Sequence, residues 1–290
     1  MRKVRGVHAQ RITFQGLGVR IVGDRWEPRT GQVPVGTVLL LHGGGQTRHS
    51  WRKSARRLAE QGWTAIAVDA HGHGDSDWSP DGDYSMDALV ADLRAIVSSL
   101  PTRPVLVGAS MGGMTSLVAE GEHSGLSRAL VLVDIAPRTE SAGVKRILDF
   151  MSAAPDGFST LSEVAEAVHA YNPHRERPTN FEGLKKNVRQ RANGRWYWHW
   201  DPAFLKIRNE VQRAASDKRL REAACRIEVP TLLVRGSNSD VVSPEGAEEL
   251  RTLIPTAEIE EVVAGHMVAG DDNDVFASQM LGFLKRALRP

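Results

Sequence analysis

A single cysteine, Cys225, stands among 290 residues. That excludes an internal disulfide and any zinc site built on several thiolates, and a reducing, cytoplasmic setting fits such usage. Charge of one sign is missing too. Lysine and arginine number 37 against 35 acidic residues, a formal charge of +2, so the field is too weak to draw nucleic acid or a membrane surface. Long apolar runs are absent: stretches such as Thr37 to Leu41 and Ala129 to Val133 fall far short of the roughly 20 residues that cross a bilayer, and no membrane insertion is expected. The basic amino-terminal residues have no apolar segment behind them and do not read as a secretory signal. No internal repeat or low-complexity segment occurs. With 41% hydrophobic and 25% charged residues, the chain has the composition of one large globular domain, or a core with a subdomain, able to bury a sizeable core. Oligomeric state is not legible at this level.

Eight short apolar, β-branched runs recur: Arg11 to Phe14, Val19 to Trp26, Val38 to Leu41, Ala65 to Asp69, Val105 to Val107, Ala129 to Asp134, Thr231 to Val234 and Glu258 to Val263. The first two flank Gln15-Gly16-Leu17-Gly18, too short for a helix, and predict a hairpin. Helical segments follow most of the later runs. The clearest is Met86 to Leu100, whose apolar positions 86, 89, 90, 93, 96, 97 and 100 form one buried face, with Ser85 as N-cap and Pro101 as stop. Apolar strands alternating with amphipathic helices predict an α/β fold, its mainly parallel sheet covered on both faces after an antiparallel start.

Between Pro137 and Cys225 no buried-strand run appears. Helical stretches at 142–153, 159–170, 180–190 and 203–215 are joined by Pro- and Gly-bearing turns, which reads as a helical cap, 137–225, inserted after strand six. The core is then 1–136 and 226–290.

The run Val105 to Val107 leads into Gly108-Ala109-Ser110-Met111-Gly112 and then an apolar helix start. Glycines at 108 and 112 permit the sharp strand-to-helix turn that lifts a serine hydroxyl out of a sheet, so Ser110 is the candidate nucleophile. Strand three ends in His42-Gly43-Gly44-Gly45-Gln46. Its glycines expose backbone N–H groups, favouring an oxyanion hole from the N–H of Gly44 and of Met111. Asp240 follows strand seven and His266 follows strand eight, at the same sheet edge as Ser110, which gives the order Ser, Asp, His. No metal or cofactor is expected.

These motifs resemble the α/β-hydrolase superfamily, in particular its cap-bearing branch of esterases, perhydrolases, carbon–carbon bond hydrolases and epoxide hydrolases. Asp69-Ala70-His71-Gly72-His73-Gly74-Asp75-Ser76 is similar to that branch's D-x-R-G-x-G-x-S segment, with His71 where arginine is usual, and the resemblance implies a structural role there for His71 and His73. It implies an eight-stranded, mostly parallel α/β-hydrolase sheet with a helical cap after strand six, and Asp134, closing that strand, as the second candidate for the acid, since some members of the family place it there. Members that open epoxides or displace halide carry aspartate at the elbow, so a serine points to attack on a carbonyl. A small-molecule carboxylic ester or lactone is the expected substrate. Carbon–carbon bond cleavage, cofactor-free perhydrolysis and a non-catalytic small-molecule receptor stand as alternatives.

Aromatic residues make up only 6% of the chain, yet Trp196-Tyr197-Trp198-His199-Trp200 concentrates four of them. Trp196, Trp198 and Trp200, with Gly45 and Met267, are the expected substrate-binding residues, suiting an apolar or aromatic group. Arg189, Arg191 and Arg195 are candidates to hold a substrate carboxylate, or else form a solvated face.

Overall fold

A computed structural model describes residues 7–173, 181–206, 210–268 and 273–288. The basic residues 1–6, position 180 of the helix predicted at 180–190 and positions 207–209 of that predicted at 203–215 lie outside the described residues.

All eight predicted strands join one sheet. Strands β1 (Ala9–Gln15) and β2 (Arg20–Trp26) form the antiparallel hairpin, and β2 pairs antiparallel with β4 (Thr64–Val68). The remaining pairs are parallel: β4 with β3 (Thr37–Leu41), then β5 (Val105–Ala109), β6 (Ala129–Val133), β9 (Thr231–Gly236) and β10 (Glu258–Val262), in the order β1-β2-β4-β3-β5-β6-β9-β10. Every residue of β3 to β6 and of β9 is buried. That explains why these segments read as unbroken apolar runs: helices close both faces, so no alternation survives.

On one face Val90, Leu93 and Val97 of α2 (Met86–Ser98), Leu117 and Val118 of α3 (Met111–Glu122) and Leu250 of α7 (Pro244–Leu253) pack against the sheet. On the other lie Ala55 and Leu58 of α1 (Arg52–Glu60) with Phe276, Met280 and Phe283 of α8 (Asn273–Ala287). Ser85 caps α2 by accepting the Ala88 N–H, as the sequence predicts.

The chain proceeds from β3 to β4 on one side and returns to β5 on the other, so β3 and β5 are neighbours whose following loops diverge. This reversal is where open α/β sheets form a ligand crevice. His42 ends β3 and Ser110 ends β5, so both candidate motifs meet there.

The excursion from β6 to β9 carries α4 (Ser141–Ser152) and α5 (Leu161–Tyr171), near their predicted spans. The predicted helix 180–190 is instead a 3-10 turn, Glu182–Lys186, followed by β7 (Val188–Gln190), which pairs antiparallel with β8 (Trp196–Trp198). Asn193-Gly194 closes this hairpin, Gly194 taking φ +77, a turn chemistry that outweighs the weak helical pattern before it. A second 3-10 turn, Pro202–Leu205, precedes α6 (Glu210–Ala224). Leu220, Ala223 and Ala224 of α6 pack with α3 in the core beside the sheet, so this helix, assigned by its sequence position to the insert, closes the core.

Candidate active site

Ser110 stands between β5 and α3 with φ 45 and ψ −113, a backbone conformation costly for a residue with a side chain. Close approach imposes the flanking glycines. A Cβ on Gly108 would lie 2.3 Å from the Gly112 carbonyl oxygen, and one on Gly112 would lie 2.5 Å from that of Leu41. The turn is held by the Ser110 N–H donating to Val133 O (3.2 Å) and the Gly112 N–H donating to His42 O (3.1 Å).

The glycine loop beside it commits most of its N–H groups. Gly43 N–H donates to Gln46 Oε1 (3.1 Å), Gly45 N–H to His73 Nε2 (3.1 Å) and Gln46 N–H to Gly43 O (3.1 Å). Among the described residues the N–H groups of Gly44 and Met111 have no acceptor. Met111 is the first residue of α3, where an N–H has no intrahelical acceptor, and these two groups are the expected pair.

His266, in the loop after β10, donates from Nδ1 to Asp134 Oδ2 at 2.6 Å. Asp134 is fully buried just past β6 with φ +48. Its Oδ1 accepts the Gly236 N–H (2.9 Å), and its Oδ2 also accepts the Ser239 hydroxyl. The acid predicted from sequence, Asp240, is therefore not the one that engages His266. Its carboxylate turns outward to Arg146 of α4, meeting Nε at 2.6 Å and Nη2 at 2.9 Å, and this bond to Arg146 holds its pKa below the ordinary carboxylate value. Chain order could not separate the two, because position 134 also lies between 110 and 266. The left-handed turn at Asp134 is what aims its side chain at the histidine, and no local sequence signal announces that turn.

Around the glycine loop sit three buried histidines whose tautomers follow from their partners. His42 Nε2 accepts the Ala70 N–H (3.0 Å), so Nδ1–H donates to Gly43 O (2.8 Å). His73 Nε2 accepts the Gly45 N–H, so Nδ1–H faces His71 O at 3.3 Å. His199, from the insert, accepts the Gly74 N–H at Nδ1 (2.8 Å), so Nε2–H faces Gly45 O at 3.3 Å. Burial pushes all three down, His199 to about 3 and His73 well below 6.5; neighbouring histidines add to the effect at His73 and His199, and Arg48 adds to it at His42. His71 pairs instead with Asp92 and stacks on Tyr84. The segment Asp69 to Ser76 is thus a scaffold, fastened by the ion pair of buried Asp69 with Arg48 and by the Ser76 hydroxyl donating to Asp69 O (2.7 Å).

The expected substrate contacts divide. Gly45 is in the loop, and Met267 Sδ accepts from Gln46 Nε2 at 3.0 Å. Trp198 and Trp200 stack on each other at 4.9 Å and 12° and meet Phe150, filling the insert's own core rather than standing free at an entrance. Trp196 is half-buried and pairs through its backbone with Phe158. Nearer the loop are Met151 and Phe204, the latter just past the aromatic cluster in sequence: a Cβ on Gly44 would sit 3.6 Å from Met151 Sδ and 3.8 Å from the Phe204 ring. The three arginines are engaged, Arg189 with Asp75 (2.8 Å), Arg191 over the Tyr197 ring (3.9 Å) and Arg195 with Asp156 O (2.7 Å).

The chain belongs to the alpha/beta hydrolase fold family, whose profile matches residues 36–272. It is 30% identical over 219 residues to esterase Rv0045c of Mycobacterium tuberculosis, covering 73% of this chain and 70% of that one. It is also 29% identical over 266 residues to the mouse sn-1-specific diacylglycerol lipase ABHD11, with coverage of 88% and 82%. Among solved structures the M. tuberculosis esterase superposes with a TM-score of 0.75 at 27% identity, over 97% of this chain and 93% of that one. E-2-(acetamidomethylene)succinate hydrolase reaches 0.80 at 20% identity, over 96% and 100%, a likeness of fold.

Proposed function

We propose that the protein is a serine hydrolase that cleaves small carboxylic esters through an acyl-enzyme on Ser110. The observation that carries this reading is the pair of unpaired N–H groups, Gly44 and Met111, beside a serine held in a strained turn. His266 takes the Ser110 proton as Oγ attacks the ester carbonyl, and Asp134 accepts the Nδ1–H, fixing the tautomer and stabilising the imidazolium. Negative charge developing on the carbonyl oxygen is met by the two N–H groups, which need no reorganisation to receive it. The tetrahedral intermediate collapses with loss of the alcohol, which takes its proton from His266. Water then attacks the acyl-enzyme through the same histidine and releases the carboxylic acid.

Apolar side chains around the loop, Met151, Phe204 and Met267, favour an ester with an apolar group, in keeping with relatives named esterase and diacylglycerol lipase. The engagement of Arg189, Arg191 and Arg195 speaks against a dedicated carboxylate clamp, and so against the carbon–carbon bond alternative. The segment between β6 and β9 acts in this reading as a cap over the site. The test is a panel of p-nitrophenyl esters of graded acyl length, with lactones, assayed with wild type and Ser110→Ala. Turnover of short or medium acyl esters that falls by at least about 1,000-fold in the variant is expected; undiminished turnover by Ser110→Ala overturns the reading.

A further inference from the structure

Three successive peptide planes in the glycine loop are each held by a different histidine. His42 fixes the Gly43–Gly44 peptide at Gly43 O, His73 fixes the Gly44–Gly45 peptide at Gly45 N–H, and His199 fixes the Gly45–Gln46 peptide at Gly45 O. Across a trans peptide the C=O and N–H point in opposite directions, so holding Gly43 O sets where Gly44 N–H points. The next two planes stop the loop from rotating about Gly45, a residue at φ +73 with no side chain to restrain it. Two of these histidines come from the core. The third, His199, comes from the insert, next to β8, and its other nitrogen accepts the Gly74 N–H. Its ring also lies 5.8 Å from that of His73.

We propose that His199 is a positioning residue for the reaction: by bridging Gly74 N–H and Gly45 C=O, it and His73 lock the glycine loop in the conformation that aims Gly44 N–H at the developing oxyanion, so the insert completes the oxyanion hole. This rests on the reading of Gly44 as an oxyanion donor. His199 touches no substrate. Its contribution is to hold the loop before the charge develops, which is the condition under which an oxyanion donor is effective.

The test compares His199→Phe, which fills the space without either hydrogen bond, with His199→Gln, whose amide can both accept from Gly74 N–H and donate to Gly45 O. Val164→Ala, in the insert's core, serves as a packing control. For His199→Phe, kcat on a p-nitrophenyl ester and the rate of fluorophosphonate labelling of Ser110 are expected to fall together, on the order of 10- to 100-fold, with KM within about 2-fold. His199→Gln should recover most of the loss, and Val164→Ala should lower the melting temperature without lowering kcat. A folded His199→Phe protein with both rates unchanged overturns the inference, as does a Val164→Ala protein that loses kcat to the same extent. Should His199→Phe not fold, His73→Leu against His73→Gln makes the same comparison at the adjoining peptide plane. An active Ser110→Ala protein is a separate result: it removes the serine reading itself, and the inference with it.

Discussion

At the scale of the residue, two carboxylates stand within the chain order that a Ser-His-acid site requires. Asp134 and Asp240 both follow buried strands, both lie between Ser110 and His266, and both emerge at the same sheet edge. What distinguishes them is a dihedral angle: φ +48 at Asp134 turns its side chain inward, where it accepts from His266, Gly236 and Ser239, while Asp240 leans out to Arg146. Asp134→Asn is therefore expected to lower kcat by on the order of 1,000- to 10,000-fold, because an amide cannot hold the productive tautomer of His266. Asp240→Asn should leave kcat within a few-fold and act on stability instead. Steady-state assays of the two purified variants against one ester make the comparison.

At the scale of the element, the legible parts were those whose role shows in composition. Buried strands cannot alternate, so β3 to β6 and β9 read directly as apolar runs, and α2 showed its cap and its stripe. The β7–β8 hairpin did not read, because Val188-Arg189-Gln190 is short and only Val188 of it is buried; its pairing is set by the Asn-Gly turn and by the aromatic packing of Trp198. The loop after β4 shows a different limit. Gly74 takes φ +56, and a Cβ there would lie 2.1 Å from Asp69 Oδ2, inside the buried pairing of Asp69 with Arg48. Gly74→Ala should cost on the order of 3 kcal/mol, since it combines backbone strain with displacement of a buried ion pair. A urea midpoint lowered at unchanged slope is the expected readout, and it should be accompanied by lost activity, because Gly74 N–H also seats His199.

At the scale of the whole molecule, the buried histidines tie stability to pH. His199 has its pKa depressed to about 3 by burial, and His73 is held well below the ordinary histidine value of 6.5 for the same reason. The unfolded chain protonates these groups near 6.5 while the folded chain does not. Below that pH the unfolded state binds more protons, so stability falls as pH falls, through the window from 6.5 to about 3 for His199. Each such histidine contributes a slope of at most about 1.4 kcal/mol per pH unit. Melting temperatures measured from pH 7 to pH 4.5 should decline for wild type and decline less steeply for His199→Gln; parallel curves would assign the slope to other groups. The near-neutral composition gives no sign of this concentration of neutral imidazoles around one loop. It arises because residues 42, 73 and 199, distant in the chain, converge where the topology reverses between β3 and β5.

If Ser110 is an activated nucleophile, an electrophile that mimics an ester will trap it covalently. Wild-type protein treated with a fluorophosphonate and examined by intact mass and peptide mapping should gain one phosphonyl adduct, on the Ser110 peptide. Labelling should be abolished in Ser110→Ala and strongly slowed in Asp134→Asn. A protein that hydrolyses esters yet takes no adduct at Ser110, or takes it equally in Ser110→Ala, contradicts the account.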